Sequence, residues 1–331
     1  MTIREIAELA GTSRGTVDRV INGRGNVSPE LEKKIREIIQ RENYQPNQLA
    51  QALINSRKHL RIGVVIHSVG NPFFDDVIKG IDERTKKLKS YGLEVQVEHL
   101  KGYSEWEQIQ AIDRLLEQEI DGLIITPINV VPVQKRLETI AIPIVALNTD
   151  IHINKLAFVG CDYHNNGMIC GDIAKLILHQ GGTIAAVVGN FDMSGHKQRV
   201  EGLEESVGQH PNIVVTAKLE NQDDDQISYH LVKDYLKTHS PHLLYFGAAG
   251  IAGGVQAVLE SGKNIPIITV DETDCVKKYL EQGIVWATVT QQPYLQGDIS
   301  VKILYDYLAN KKKPKDPYCY TKGQIKLKHS K

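Results

Sequence analysis

Two groups of residues in this sequence have the types and spacing to do chemistry, and both look built to recognise rather than to make or break bonds. The first is Arg14, Gly15, Thr16, Asp18, Arg19 and Asn22. At helical spacing these share the polar side of one short segment, with Val17, Val20 and Ile21 on the other. Guanidinium, hydroxyl and amide groups on one helix face match the donor and acceptor pattern of base edges and phosphates. The second group falls at the ends of apolar runs, with Asn71, Phe73 and Phe74, Asn148 and Asp150, Cys161 and Asp162, Asp271 and Gln291, and is joined by Arg199, which opens a helix near its ligand-facing end. Planar side chains with several donors or acceptors satisfy neighbouring hydroxyls in pairs. Two adjacent phenylalanines at a loop-to-helix start can stack on the apolar face of a sugar ring; plain burial is the alternative for either one.

Other patterns carry less. Gly247-x-x-Gly250-x-x-Gly253 follows an apolar run and is followed in turn by Asp271, which imitates a dinucleotide fingerprint. Its spacing is wrong, and it lies deep in the chain rather than at a first strand. Asp223-Asp224-Asp225 lacks the following Gly and Glu of a calcium loop and reads as a solvated helix start. His67, His164 and His196 have no metal-ligand spacing and read as ordinary polar lining. No order of Ser, His and Asp, or of Cys and His, sets a nucleophile beside a base. No catalysis, cofactor or metal is expected.

The elements that position these residues follow from periodicity. Ile3, Ile6, Leu9 and Ala10 fit one face of a helix, Gly11 supplies the positive φ of a sharp turn, and Ser13 can cap a second helix. Two short helices locked by such a turn form a helix-turn-helix, whose second helix enters the DNA major groove; a solvated αα-hairpin is the plainer alternative. Ser28-Pro29-Glu30 starts a third helix with a cap, a proline at its first position and acids in its first turn. Leu31, Ile35, Ile38 and Ile39 make its apolar stripe. Residues 47–54 are helix-capable but too short to stand alone in water, and 55–60 form a polar, basic linker.

From Arg61 the pattern becomes strand–helix alternation. Strands are expected at 61–67, 93–99, 121–126, 143–147, 156–160, 183–188, 213–218, 243–246, 266–271 and 286–290. Helices are expected near 73–90, 104–119, 130–140, 164–180, 194–209, 226–238, 251–262 and 273–282. Runs such as IGVVI and PIITV are continuously apolar, as in parallel sheets covered on both faces. Two such lobes imply a cleft, with ligand held beyond the carboxyl ends of the strands and a hinge to close on it.

Composition agrees. The 331 residues carry 39 Lys and Arg against 40 Asp and Glu, a net charge of −1. Residues 1–60 hold 10 basic and 7 acidic side chains, hence +3, which leaves −4 for the rest. A mildly basic head on an acidic body suits contact with nucleic acid at one end only. Four cysteines without CxxC spacing read as reduced thiols. With no N-terminal apolar run and no stretch of membrane-spanning length, the expected location is the cytoplasm.

The stretch TIREIAELAGTSRGTVDRVINGRGNVSPELEKKIREIIQRENYQPNQLAQAL resembles the head of the LacI family of bacterial transcriptional regulators. The departures are Asp18, where many members have Ser, and Gly15 inside the recognition helix. The resemblance implies contacts with double-stranded operator DNA from Thr12, Arg14, Gly15, Thr16, Arg19, Asn22 and Asn47. It also implies a hinge helix that folds on DNA and wedges Leu53 into the minor groove. The body resembles ribose-type periplasmic sugar-binding proteins over 61–328, through Asn71-Pro72-Phe73-Phe74, the Arg199-x-Glu201-Gly202 turn, Asp271 and Ala287-Thr288-Val289-Thr290-Gln291. Thr126, Asn148-Thr149 and Ala248-Ala249 depart from that pattern.

The expected architecture is therefore an all-α helix-turn-helix headpiece (1–46), a hinge and linker (47–60), and an α/β periplasmic-binding-protein-like body (61–331). Lobe 1 would take about 61–160 and 292–318, and lobe 2 about 161–291 and 319–331. The expected effector site is Asn71, Phe73, Phe74, Thr126, Asn148, Asp162, Arg199, Asp271 and Gln291, holding a monosaccharide or derivative. A homodimer is expected, since no Leu-rich heptad follows to tether a tetramer. The alternatives are a protein or non-sugar corepressor, a transport-type binding protein, and an enzyme with an accessory DNA domain.

Overall fold

The computed structural model describes residues 1–21, 25–42 and 59–330. The headpiece is three helices, α1 (Ile3–Ala10), α2 (Arg14–Ile21) and α3 (Pro29–Arg41). Thr2 and Glu5 cap α1 reciprocally, and Gly11 ends it at φ 70°. Ser13 Oγ accepts the Thr16 N–H at 3.2 Å to start α2, and Ser28 Oγ accepts the Leu31 N–H to start α3. Ile6, Ala7, Ala10, Val17, Val20, Ile35 and Ile38 fill the core. Leu9, expected inside, is 49% exposed, and the inward position is Ala7. Ile3, Ile6, Ala7 and Ala10 follow helical spacing on one face, and Leu9 falls outside it.

The body begins with β1 (Leu60–Ile66), α4 (Phe73–Leu88), β2 (Leu93–His99), α5 (Glu105–Glu117), β3 (Gly122–Ile125), α6 (Val131–Glu138), β4 (Ile144–Leu147) and β5 (Ala157–Cys161). A second series follows: α7 (Tyr163–Ile177), β6 (Gly182–Val188), α8 (Ser194–Val207), β7 (Ile213–Glu220), α9 (Asp225–Thr238), β8 (Leu243–Phe246), α10 (Ile251–Glu260), β9 (Ile267–Val270), α11 (Asp274–Gln282) and β10 (Val285–Thr290). The chain closes with α12 (Pro293–Asn310), β11 (Tyr318–Thr321) and β12 (Gln324–Leu327). One sheet runs β11-β5-β4-β3-β1-β2 and the other β12-β10-β9-β8-β6-β7. All pairings are parallel except β10 with β12. In lobe 1, α4 and α12 cover one face of the sheet and α5 and α6 the other. In lobe 2 the two faces are covered by α7 and α8 and by α9, α10 and α11. Burial on both faces explains the uninterrupted apolar strands.

Three elements escaped the sequence reading. In α12 the buried positions of the first half are Gln296, Gly297, Asp298 and Ser300, so the apolar stripe is confined to Val301, Leu304, Tyr305 and Ala309 in the second half. β11 and β12 are short edge strands with exposed Tyr318, Tyr320, Ile325 and Leu327. The lobe boundary also moves. Residues 319–321 were expected in lobe 2, but β11 pairs with β5 of lobe 1, from Tyr318 opposite Phe158 to Thr321 opposite Cys161. Only β12 joins the second sheet, so the last crossing falls at Lys322-Gly323.

The chain crosses between lobes three times, after β5, after β10 and after β11. One buried network ties the crossings together. Thr321 Oγ1 lies 2.7 Å from the Gln291 carbonyl and 3.1 Å from that of Gly160, and Gln296 Nε2 donates to the Gln291 carbonyl at 2.9 Å.

Candidate functional site

The carboxyl ends of both sheets face each other across the cleft, and side chains from both lobes enclose a chamber of about 30 Å³. Asn71, Phe73, Phe74, Asn148, Arg199, Asp271 and Gln291 all line it, as expected from sequence. Asn71 accepts the Phe73 N–H at 3.1 Å on Oδ1, which starts α4 and aims its amide nitrogen across the cleft. The two phenylalanine rings meet edge to face, 5.2 Å apart, so both belong to the lobe 1 core while also facing the chamber. The choice between stacking platform and core residue was a false one here.

On the lobe 2 side, Arg199 is 3% exposed and donates from Nη1 to the Gly247 carbonyl at 2.7 Å. Its guanidinium lies over the Tyr163 ring, 4.7 Å from the centroid, while Nε and Nη2 have no hydrogen-bond partner among the described residues. Burial works against its charge, but the Asp271 carboxylate opposes that and Arg199 stays protonated. Asp271 accepts from Gln291 Nε2 at 2.6 Å; burial pushes its carboxyl up, and Arg199 opposes that. Asn148 donates to Gln296 Oε1 at 3.3 Å.

Two expected residues are elsewhere. Thr126 is fully buried beneath the chamber, its carbonyl accepting from Gln108 and its hydroxyl without a partner. Asp162 is exposed and caps α7 through the Asn165 N–H at 2.9 Å, on the outer side of the hinge. Strand-end position made Asp162 a candidate and the resemblance to sugar-binding proteins made Thr126 one, but a strand end also has a buried side and an outer side.

Four polar side chains outside the expected effector set also line the chamber: Asp223, Tyr103 and the two histidines read as polar lining, His67 and His196. Asp223, read as part of a solvated helix start, reaches from lobe 2 across the cleft. Its carboxylate accepts the Tyr103 hydroxyl, the Ala249 N–H at 3.0 Å and Asn71 Nδ2 at 3.4 Å. The cap of α9 is its neighbour Asp224. Tyr103 stands between two histidines, its ring 5.3 Å from His67 and 6.3 Å from His196. Tyr103 and Asp223 both follow strand ends, β2 and β7, so the carboxyl-end rule applied to every strand would have found them. Burial lowers His67 to about 4, and it lowers His196 too. His164 lies apart, paired with Glu205 at 3.1 Å.

Asn148, Asp223 and Asp271 all hold positive φ, at 64°, 55° and 68°. Asn and Asp tolerate this region best, and such residues gather where a loop must aim a side chain. The glycine triplet of the false fingerprint has a packing role. A Cβ on Gly253 would lie 1.7 Å from the Asp225 carbonyl oxygen, so that glycine lets α9 and α10 touch.

The lobes are clasped in this arrangement. Besides Asp223, the Asn129 N–H donates to the Asp192 carbonyl at 3.0 Å and Ser194 Oγ to that of Asp150 at 2.9 Å. Met193 of lobe 2 packs into the lobe 1 cluster that includes Ile128 and Ile151.

In the headpiece, Arg14, Gly15 and Arg19 are exposed on α2, with Thr12 and Thr16 half-buried at its start. Asn22, Asn47 and Leu53 lie outside the described residues, as does most of the expected hinge.

Residues 2–47 match the family described as bacterial regulatory proteins, lacI family, and residues 62–312 match the periplasmic binding protein domain. The chain belongs to the LacI family. The ribose operon repressor of Halalkalibacterium halodurans is 29% identical over 96% of this chain and 93% of its own length. Catabolite control protein A of Staphylococcus epidermidis is 22% identical over 93% and 92%. Among solved structures, a glucose-galactose binding protein of Geobacillus stearothermophilus superposes with a TM-score of 0.74 at 22% identity, over 81% of this chain and 97% of that one. A solute-binding protein of Burkholderia graminis in complex with D-arabinose gives 0.74 at 20% identity, over 81% and 95%. These structures share the fold of the body. As a LacI-family member, the protein is a DNA-binding transcription regulator and not an enzyme. Among the described residues no helix is long and apolar enough to cross a membrane.

Proposed function

We propose that this regulator is a repressor whose cleft binds an unphosphorylated monosaccharide or a close neutral derivative. The observation that carries the reading is the convergence of Asn71, Phe73, Asn148, Arg199, Asp223 and Asp271 from two lobes on one chamber. Charge supports the neutral ligand. The chamber holds Arg199 together with two carboxylates, Asp223 and Asp271, and burial keeps both of its histidines neutral, so no surplus positive charge remains for a phosphate. The name of the ribose operon repressor and the D-arabinose complex support the sugar class.

The chamber holds roughly two waters, so an effector enters only when the lobes part and the Asp223 contacts break. Effector then re-closes the cleft around itself, and DNA affinity shifts by its difference in affinity for the two lobe arrangements. Arg14, Gly15 and Thr16 face base edges, Arg19 a base or phosphate, and Thr12 phosphates, with two headpieces of a homodimer reading two half-sites. The protein works in the cytoplasm, where its DNA is.

A thermal-melt panel of pentoses, hexoses, inositols and their phosphates tests this. One neutral sugar at 100 times its Kd adds about 2.7 kcal/mol, a rise of several degrees, and Arg199→Met abolishes that rise. A response only to phosphorylated sugars, or to none, overturns the assignment.

A further inference from the structure

Lobe 1 carries a band of seven exposed lysines that the cleft does not use. Lys86 and Lys87 end α4 and Lys89 lies in the 3-10 turn after it; Lys311, Lys312, Lys313 and Lys315 follow the end of α12. The two helices run side by side from the cleft to the opposite end of the lobe, where the strands begin. A Cβ on Gly80 would strike the Tyr294 carbonyl, and one on Gly297 the Val77 carbonyl, which fixes their alignment. Both basic segments are pinned at that base. The Leu60 N–H donates to the Gly92 carbonyl at 2.8 Å, the Tyr305 hydroxyl to the Tyr91 carbonyl at 3.5 Å, and the Phe158 N–H to the Pro317 carbonyl at 2.7 Å. Residues 311–317 therefore pass beneath the sheet from α12 to β11.

None of the seven forms an ion pair among the described residues, although Lys311 lies over the Tyr307 ring at 5.2 Å. Acids lie at this end too, and four of them are engaged: Asp306 pairs with Lys302 and Glu138 accepts from Gln134. Asp121 accepts the Arg61 N–H and Asp316 that of Tyr318. A body that is −4 outside residues 1–60 thus concentrates positive charge at one end. The DNA-binding headpiece is tethered to that same end. Seventeen positions separate Glu42 from His59, a reach of at most about 60 Å.

We propose that this lysine band contacts the phosphate backbone of duplex DNA flanking the segment that the headpiece reads. The inference rests on the DNA-binding role of the family and adds a contact made by the body itself. Point-charge ammonium groups on a polar surface suit sequence-independent phosphate contact.

The test uses the full chain and two random-sequence duplexes, one of about 12 base pairs and one of about 40, titrated over a range of salt. The variant Lys86→Gln/Lys87→Gln/Lys312→Gln/Lys313→Gln should bind the long duplex more weakly, with a log–log salt slope shallower by about 0.9 for each phosphate no longer neutralised. It should match the wild type on the short duplex, and the corresponding Lys→Arg variant should restore both affinity and slope. Equal affinity and slope on the long duplex, or an equal weakening on both duplexes, overturns the proposal. Lysine acetylation of the wild-type chain reads the same surface without a variant: Lys312 and Lys313 should be protected by the long duplex, and unchanged labelling overturns the proposed phosphate contact. A wild-type chain that binds neither duplex removes the DNA reading and this proposal with it.

Discussion

His67 is held neutral by the hydrogen-bonding needs of its neighbours as well as by burial. Its Nδ1–H donates to the Gly102 carbonyl at 2.7 Å, and its Nε2 accepts from Gln108 Nε2 at 2.8 Å. Gln108 cannot turn around, because its Oε1 accepts the Ile128 N–H at 2.9 Å. A proton on Nε2 would set donor against donor. Unfolded, the ring titrates at the ordinary 6.5; folded, it titrates at about 4. Between those values the unfolded chain binds more protons, so stability is complete above about pH 6.5 and declines as pH falls toward 4. The loss from this ring reaches up to about 3 kcal/mol. Melts from about pH 7.5 to about pH 4.5 should show a steeper acid loss for wild type than for His67→Gln, and parallel curves would sink the assignment. Thr126 gives a second test at this scale. Replacing its unpartnered buried hydroxyl by a methyl, in Thr126→Val, should stabilise the fold by about 1 kcal/mol and leave the effector response intact; a lost response would return Thr126 to the site. Sequence showed the seven lining residues whose types stand out at strand ends. It hid Tyr103 and Asp223, because an isolated tyrosine and an acidic run look solvated until a loop with positive φ aims them inward.

Strands were the most legible elements, since burial on both faces writes them as apolar runs. Helices with one covered face, such as α5 and α9, were nearly as clear. α12 was missed because its first half buries small and polar residues, Gln296, Gly297, Asp298 and Ser300, which leaves its apolar stripe short. Gly80 and Gly297 are where the backbones of α4 and α12 approach: an added Cβ would lie 2.1 Å from a carbonyl oxygen at either position. Gly297→Ala must push the helices apart, and we expect a loss of about 2–3 kcal/mol by urea unfolding; a change below about 0.5 kcal/mol would show that the helices can slide. Gly15 differs. Its nearest neighbour to an added Cβ is Ser13 Oγ at 3.7 Å, so no packing within the headpiece demands a glycine there. The reason for it lies outside the fold, at the surface that α2 presents.

At the scale of the whole molecule, the two lobes act as rigid sheets joined by three strands of chain. The shared network of Thr321, Gln291, Gln296 and Gly160 makes those crossings move as one hinge. Reading two half-sites needs two chains, so sedimentation at micromolar concentration should give twice the 37.0 kDa chain mass. A monomer throughout that range would remove the paired-headpiece mechanism.

The path of the chain through that hinge has a consequence for synthesis. Lobe 1 is encoded first, yet its sheet lacks the cover of α12 and the edge strand β11 until residues 293–321 have left the ribosome. By then β6 to β10 and all five helices of lobe 2 have already emerged. β12 still follows, so neither sheet is complete until the end of the chain, and through most of its translation the nascent chain carries the face of Ile62, Val64, Ile124 and Val145 covered by α4 alone. A stall or truncation shortly before α12 would leave that face open to chaperones.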